Sequence, residues 1–155
     1  MPELITADTD DMPLLLPLVR AYHDFEGIVV TDSERETALS PLLEENSDLG
    51  KVWLIRHQKE SVGYIALCFG YSIEFGGRDA FIDEFYITEP ARGKGLGHWV
   101  LKEIQMKARE YGVCAIHLEV ARSNKRAQKS YAKAGFMLRQ DFHLMSSKLG
   151  PVNTN

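Results

Sequence analysis

The stretch Asp83-Glu84-Phe85-Tyr86-Ile87-Thr88-Glu89-Pro90-Ala91-Arg92-Gly93-Lys94-Gly95-Leu96-Gly97 decides how this chain reads. Its first part is a β-rich run that Pro90 ends, and three alternate glycines follow before a helical pattern begins. From Gly95 to Tyr111 the positions Leu96, Val100, Leu101, Ile104, Ala108 and Tyr111 form one apolar face, and Gly112 is a natural C-cap. A strand that passes through a glycine-rich turn into a helix exposes backbone N–H groups. With the positive end of the helix dipole and the nearby Arg92 and Lys94, those donors make a pocket suited to a pyrophosphate. Two common nucleotide motifs are excluded by spacing. A G-x-G-x-x-G turn would need glycine where His98 stands, and no G-x-x-x-x-G-K-[ST] loop occurs.

Working outward, Lys51–His57 and Val62–Phe69 predict a hairpin about the polar turn 58–61. A second hairpin follows, with arms Tyr71–Phe75 and Ala80–Ile87 and Gly76-Gly77 at its tip. Upstream, Asp10 and Asp11 can cap a helix whose apolar positions Leu14, Leu15, Leu18, Val19, Tyr22 and Phe25 continue to Gly27, with a kink expected at Pro17. Another helix starts at Thr31 or Asp32, with Glu34 or Glu36 completing a capping box, and ends near Asn46–Gly50, weakened midway by Pro41. Downstream come a strand at Ala115–Val120, a short helix from Asn124 to Ala134 stopped by Gly135, a final strand at Phe136–Met145, and a frayed tail over 150–155. The expected architecture is an α/β layered domain over 1–149. A mixed, largely antiparallel sheet of six to seven strands is flanked by about four helices.

With 155 residues, 45% of them hydrophobic and 26% charged, the chain has the composition of a globular protein. The net charge of −4 conceals an asymmetry. Residues 1–50 carry twelve acidic and two basic side chains, whereas residues 89–133 carry ten Lys or Arg against four Glu. The basic segment wants an anion, and the acidic one a cation. That basic segment lacks interleaved aromatics, so nucleic acid is not an expected partner. No apolar run approaches the roughly 18 residues of a membrane span, and no basic region precedes an apolar stretch as in a secretory leader. Cys68 and Cys114 each lie in a strand-like apolar run, which fits buried free thiols in a reducing, cytoplasmic setting. The histidines at 23, 57, 98, 117 and 143 show no ligand spacing, so no metal is expected. No G-x-S-x-G elbow points to a hydrolase.

Arg92-x-x-Gly95-x-Gly97 matches the [Q/R]-x-x-G-x-[G/A] signature of the GNAT acyltransferase superfamily. Downstream, Asn124-Lys125-Arg126-Ala127-Gln128-Lys129-Ser130-Tyr131-Ala132-Lys133-Ala134-Gly135-Phe136 resembles the same superfamily's N-x-x-A-x-x-x-Y-x-x-x-G-F block. The resemblance implies the acyl-CoA N-acyltransferase fold and acetyl-CoA as co-substrate. It also implies roles. Backbone groups of Tyr86 and Ile87 would bond the pantetheine arm, Arg92, Gly93, Lys94, Gly95, Leu96 and Gly97 would hold the pyrophosphate, and Asn124 and Ala127 would meet the pantetheine region. Tyr131 would lie beside the sulfur.

The chemistry so implied is attack of a neutral amine on a thioester. A backbone N–H can stabilise the oxyanion, and the Tyr131 phenol can protonate the leaving thiolate. The amine's proton needs an acceptor, for which Asp83 and Glu84 are the candidates. As neighbours on a regular strand they are expected on opposite faces of the sheet. The hairpin Gly70–Tyr86 is similar to that of the diamine acetyltransferases in its carboxylate pair and its aromatic at Phe75, although Ile73 replaces an acidic residue there. A diamine or polyamine acceptor is thereby implied. Other readings are peptide or protein N-acetylation and a silent acyl-CoA-sensing module, and homodimerisation through exposed strand edges is a further implication of the resemblance.

Overall fold

The computed structural model describes residues 1–151, so part of the tail expected to fray lies outside the described residues. Strand β1 (Glu3–Thr6) precedes helices α1 (Met12–Glu26) and α2 (Asp32–Leu43). Strands β2 (Gly50–His57), β3 (Glu60–Ser72) and β4 (Gly77–Ile87) follow, then α3 (Leu96–Glu110), β5 (Ala115–His117) and α4 (Lys125–Lys133). The sheet order is β1-β2-β3-β4-β5. The first three pairings are antiparallel and β4 with β5 is parallel. The mixed α/β layering expected from sequence is what the chain adopts.

The helix ends follow the sequence in part. Thr31 accepts from the Glu34 N–H, and Glu34 closes the box on the Thr31 N–H. At the start of α1 the side-chain cap is instead Asp8, which with Asp11 boxes a 3-10 turn at Thr9–Asp11. Pro17 sits inside α1 on the exposed side without ending it. Helix α2 stops at Leu43, short of the expected end.

The sheet has five strands where six to seven were expected. The arms Val62–Phe69 and Tyr71–Phe75 are largely one strand, because β3 runs through Gly70 to Ser72 and the turn comes only afterwards. The expected final strand at Phe136–Met145 has no strand structure. A strand needs a ladder to join, and β5 offers three residues rather than the six expected of Ala115–Val120. The segment is held by side chains instead. Arg139 pairs with Glu74 at 2.9 Å and lies over the Phe75 and Phe142 rings. Strand β1 went unanticipated; its pairing with β2 supplies what four residues cannot encode alone.

Two cores sandwich the sheet. On one face α3 packs Leu96, Val100, Leu101, Ile104 and Ala108 against Trp53, Ile55, Ile65, Leu67, Ala80 and Ile82. On the other, Leu15, Leu18 and Val19 of α1 and Leu39 and Leu43 of α2 cover Val52, Leu54, Tyr64 and Ala66.

Candidate functional site

Strand β4 reaches the site with a fault in its alternation. Its residues on the α3 face are Ala80 and Ile82, then Phe85 and Ile87. The alternation skips one position because Ala66 pairs with Glu84 while Leu67 pairs with Ile82, leaving Asp83 as an extra residue. The expectation that Asp83 and Glu84 project to opposite faces is therefore overturned. The β-bulge keeps both off the α3 face. Their charges both bear on Tyr22 and Tyr64, which lie on the α1–α2 side.

Glu84 is enclosed. Its Oε2 lies 2.6 Å from His23 Nε2, and the Tyr64 hydroxyl donates to its Oε1 at 2.8 Å. Arg35 Nε donates to His23 Nδ1 at 3.1 Å and Arg35 also bonds Asp32 at 2.7 Å. Asp32 in turn takes both nitrogens of Arg20 at 3.1 and 2.6 Å, which hold its carboxyl below the usual range. Burial, then the nearby Glu84 charge, pushes the Tyr64 phenol far up, so it remains a donor. Tyr22 closes the group edge-on to Tyr64 at 6.3 Å and tilted against Tyr86 at 6.2 Å. Its phenol is pushed up to about 12 by burial and by Glu26, Glu84 and Asp83. Asp83 is exposed and, among the described residues, has no hydrogen-bond or ion-pair partner.

On the opposite side of β4 a cleft of about 270 Å³ is lined by Phe85, Ile87, Arg92, Gly97, Leu101, Ala127, Ser130 and Tyr131. It opens because β5 pairs with β4 only from Asp79 to Phe81, so the backbone of 82–87 has no strand beside it there. Gly93 and Gly95 have φ of 77° and 78°, a conformation costly for any side chain. Gly95 is the N-cap of α3 and brings no side chain to the first N–H groups of that helix. At Gly97 a methyl would meet Ile87 at 3.7 Å, an ordinary contact, so the space left there belongs to the cleft rather than to close packing. Lys94 is exposed beside the turn, and Leu96 is buried in the α3 core.

Tyr131 packs beside Phe136 with ring centroids 6.0 Å apart. Its phenol is raised by burial and by the charge of Glu26, and so keeps its proton at neutral pH. Asn124 is the N-cap of α4, its Oδ1 accepting from the Ala127 N–H at 3.1 Å, which leaves its NH2 free to turn outward. Arg92 differs from expectation. It folds back, donates from Nε to the Ile87 carbonyl at 2.7 Å, and lies 5.5 Å from the Tyr86 and Phe25 ring centroids. A ligand bonding at Ile87 would share or displace that contact.

The structure thus gathers Ile87, Arg92, Gly97, Ala127 and Tyr131 from three separate segments around one cleft. It sets the carboxylates behind β4. Sequence reasoning missed His23, Arg35, Tyr64, Tyr22 and Glu26. One signal was available: His23 lies four and eight residues after Val19 and Leu15, in phase with the buried stripe of α1.

This chain belongs to the acetyltransferase (GNAT) family, whose model matches residues 17–136. It is 32% identical over 99 residues to YycN, an uncharacterized N-acetyltransferase of Bacillus subtilis, a match covering 63% of this chain and 61% of that protein. It is also 32% identical over 74 residues to the thialysine N-epsilon-acetyltransferase of Bos taurus, covering 48% of this chain and 43% of the bovine protein. The chain thus spans less than two thirds of either relative. Among solved structures, an integron cassette protein from the mobile metagenome of Cole Harbour Salt Marsh superposes with a TM-score of 0.82 at 34% identity, covering 96% of this chain and 91% of the other. A predicted acetyltransferase from Clostridium acetobutylicum, solved with acetyl-CoA, shares the fold at a TM-score of 0.75 and 22% identity, covering 94% of this chain and 96% of its own. No helix among the described residues is long and apolar enough to cross a membrane.

Proposed function

We propose that this protein is an N-acetyltransferase that moves the acetyl group of acetyl-CoA to the primary amine of a small cationic acceptor, such as a diamine or polyamine. The observation that carries the reading is the cleft itself. Coenzyme-type residues from the β4 end, the glycine turn and α4 meet on one side of β4, and two carboxylates stand on the other. The family supports the reaction, the Clostridium structure with acetyl-CoA supports the co-substrate, and the thialysine enzyme supports an amine acceptor.

In this reading the uncapped N–H groups at the start of α3 take the pyrophosphate, with Gly93 and Gly95 letting the backbone approach and Lys94 adding charge. The pantetheine arm lies along the open edge of β4 at Tyr86 and Ile87, against Ala127 and the Asn124 amide. The amine approaches from the α1–α2 side, drawn by Asp83, Glu84 and Glu26. Nitrogen attacks the thioester carbon, a β4 backbone N–H meets the oxyanion, and as the carbon–sulfur bond breaks Tyr131 returns a proton to the thiolate. The amine's own proton goes to the carboxylate side.

A homodimer in the cytoplasm is part of the same reading. The exposed apolar side chains of Met137, Leu138, Phe142, Leu144 and Met145 support the first, and the two free cysteines the second.

The test is titration calorimetry with acetyl-CoA followed by thiol release against polyamines, amino acids and peptides. Binding with release driven by a polyamine is expected. Release with peptides alone would make it a protein acetyltransferase, and binding without release a sensor. In the Asp83→Asn, Glu84→Gln double variant, kcat/KM for the amine should fall by about 100-fold or more, the scale of a lost acid–base group; unchanged kinetics would remove the carboxylates from the reaction.

A further inference from the structure

The acetyl-transfer reading leaves open how a glutamate packed beneath two helices serves an acceptor amine. Glu84 has 18% of its side chain exposed and His23 10%, so the pair is nearly closed off from water at 2.6 Å. The proton between them can be placed from Arg35. A guanidinium can only donate, and Arg35 Nε points at His23 Nδ1 at 3.1 Å. Nδ1 must therefore offer its lone pair, which puts the ring proton on Nε2, aimed at Glu84. Arg35 is itself 6% exposed and tied to Asp32. The opposite tautomer, with the proton on Nδ1, would set a donor against a buried cation. Tyr64, wholly buried, completes the clamp on the other oxygen of Glu84. Were Glu84 to turn away from His23 and Tyr64, two buried donors would lose their acceptor together.

We infer that His23 and Tyr64 are positioning residues that hold the Glu84 carboxylate in one orientation toward the acceptor amine, with Arg35 fixing the His23 tautomer. The inference rests on the N-acetyltransferase reading. It adds a direction of control, because His23 and Arg35 belong to α1 and α2, the helices that wall the acceptor side. A shift of either helix moves the carboxylate. The coenzyme cleft shares no residue with this clamp, so amine and coenzyme recognition separate cleanly.

The experiment compares wild type, His23→Phe, His23→Gln and Tyr64→Phe by steady-state kinetics with amine and coenzyme varied in turn. Alongside it, 15N-edited NMR of the imidazole nitrogens reports the tautomer without need of turnover. Phenylalanine removes both bonds of His23, whereas the glutamine amide can both donate to Glu84 through its NH2 and accept from Arg35 through its carbonyl. For His23→Phe the amine KM should rise at least tenfold with the coenzyme KM unchanged; His23→Gln should recover most of that loss, and Tyr64→Phe should show a smaller rise. The wild-type spectrum should show Nε2 protonated and Nδ1 bare.

A merely structural histidine would lower kcat in proportion to the folded fraction and leave both KM values alone, with no rescue by glutamine. That result overturns the inference, as does a wild-type Nδ1–H tautomer. A wild type that binds no acetyl-CoA and releases no thiol with any amine overturns the enzyme reading and the role of His23 with it. A working wild type that His23→Phe matches in every constant overturns the role of His23 alone.

Discussion

The two faces of the sheet are built by different rules. Under α3 the packing is dominated by aliphatic side chains: Val100, Leu101, Ile104 and Ala108 meet Ile65, Leu67 and Ile82. Under α1 and α2 the apolar core gives way toward the β4 end to His23, Arg35 and Glu84, all wholly or nearly buried. An apolar face is stabilised by area, at about 25 cal/mol per Å² removed from water, and tolerates adjustment of its neighbours. A buried polar cluster has no such tolerance, since each group depends on a particular partner. The comparison teaches where function sits in this molecule. On the proposed reading, the α3 face is the floor of the coenzyme cleft, and the polar corner of the other face is the part whose geometry governs the transfer of the amine's proton.

The largest expected effect tests whether the reaction draws on both faces. Tyr131 packs against the α3-side core, opposite the carboxylates. Replacing it by Phe keeps that packing and removes one proton donor, so kcat should fall by about 10²- to 10⁴-fold. Acetyl-CoA affinity by calorimetry should be unchanged. Equal kcat in the variant would move the proton donor elsewhere and leave the α3 side with a binding role only.

Next come the stabilities of the two faces. Ile104→Ala in the apolar floor should cost about 2–5 kcal/mol in urea unfolding, the price of a buried aliphatic side chain and its cavity. Arg35→Met on the polar side should cost less, about 1–3 kcal/mol. Its partner Asp32 is nearly half exposed and can be solvated, leaving His23 Nδ1 as the main orphan. If Arg35→Met proves neutral or stabilising, as replacement of buried ionic groups by apolar ones can be, the cluster is retained for the geometry it gives Glu84 and not for the fold. Smaller still, Thr31→Ala should lower stability by about 1 kcal/mol through loss of the α2 cap, displacing Arg35 only as far as the helix start frays.

The same contrast explains what could be read in advance. The turn from Arg92 to Gly97 and the apolar face of α3 are local patterns of spacing and chirality, and they appear where the sequence put them. So do the caps at Thr31 and Asn124. The bulge at Asp83 was not legible, because an extra residue in one strand shows only against the register of its partner, and Ala66 and Leu67 lie outside any window around it. The clamp on Glu84 joins residues 61 positions apart from His23 to Glu84 and could not be seen in either segment alone. The strand expected at Phe136–Met145 failed for the converse reason. Its composition is strand-like, but strands are made by neighbours, and β5 is too short to be one.

The smallest effect uses the two cysteines as reporters of the polar face. Cys68 pairs with Phe81 in the β3–β4 ladder, and alternation from Tyr64 and Ala66 puts it on the α1–α2 side. Burial raises its thiol to about 11, with the charges of Asp83 and Glu84 adding. Cys114, expected to be buried, is exposed because it lies just before β5 rather than within a strand, its N–H donating to the Arg78 carbonyl. Because the thiolate is the nucleophile, alkylation with iodoacetamide at pH 8 should label Cys114 first. The Cys68 rate should then climb about tenfold per pH unit until the pH nears 11, since its thiolate fraction grows by that factor below its pKa. The Asp83→Asn, Glu84→Gln double variant removes the two anions that oppose that thiolate, so the Cys68 curve should move to lower pH, with labelling of the exposed Cys114 as the internal reference. Mass spectrometry of the alkylated peptides reads both at once. A Cys68 curve that does not move would mean that the carboxylates lie too far from it, and the polar face would then end at Glu84 rather than extend along β4 toward Phe81.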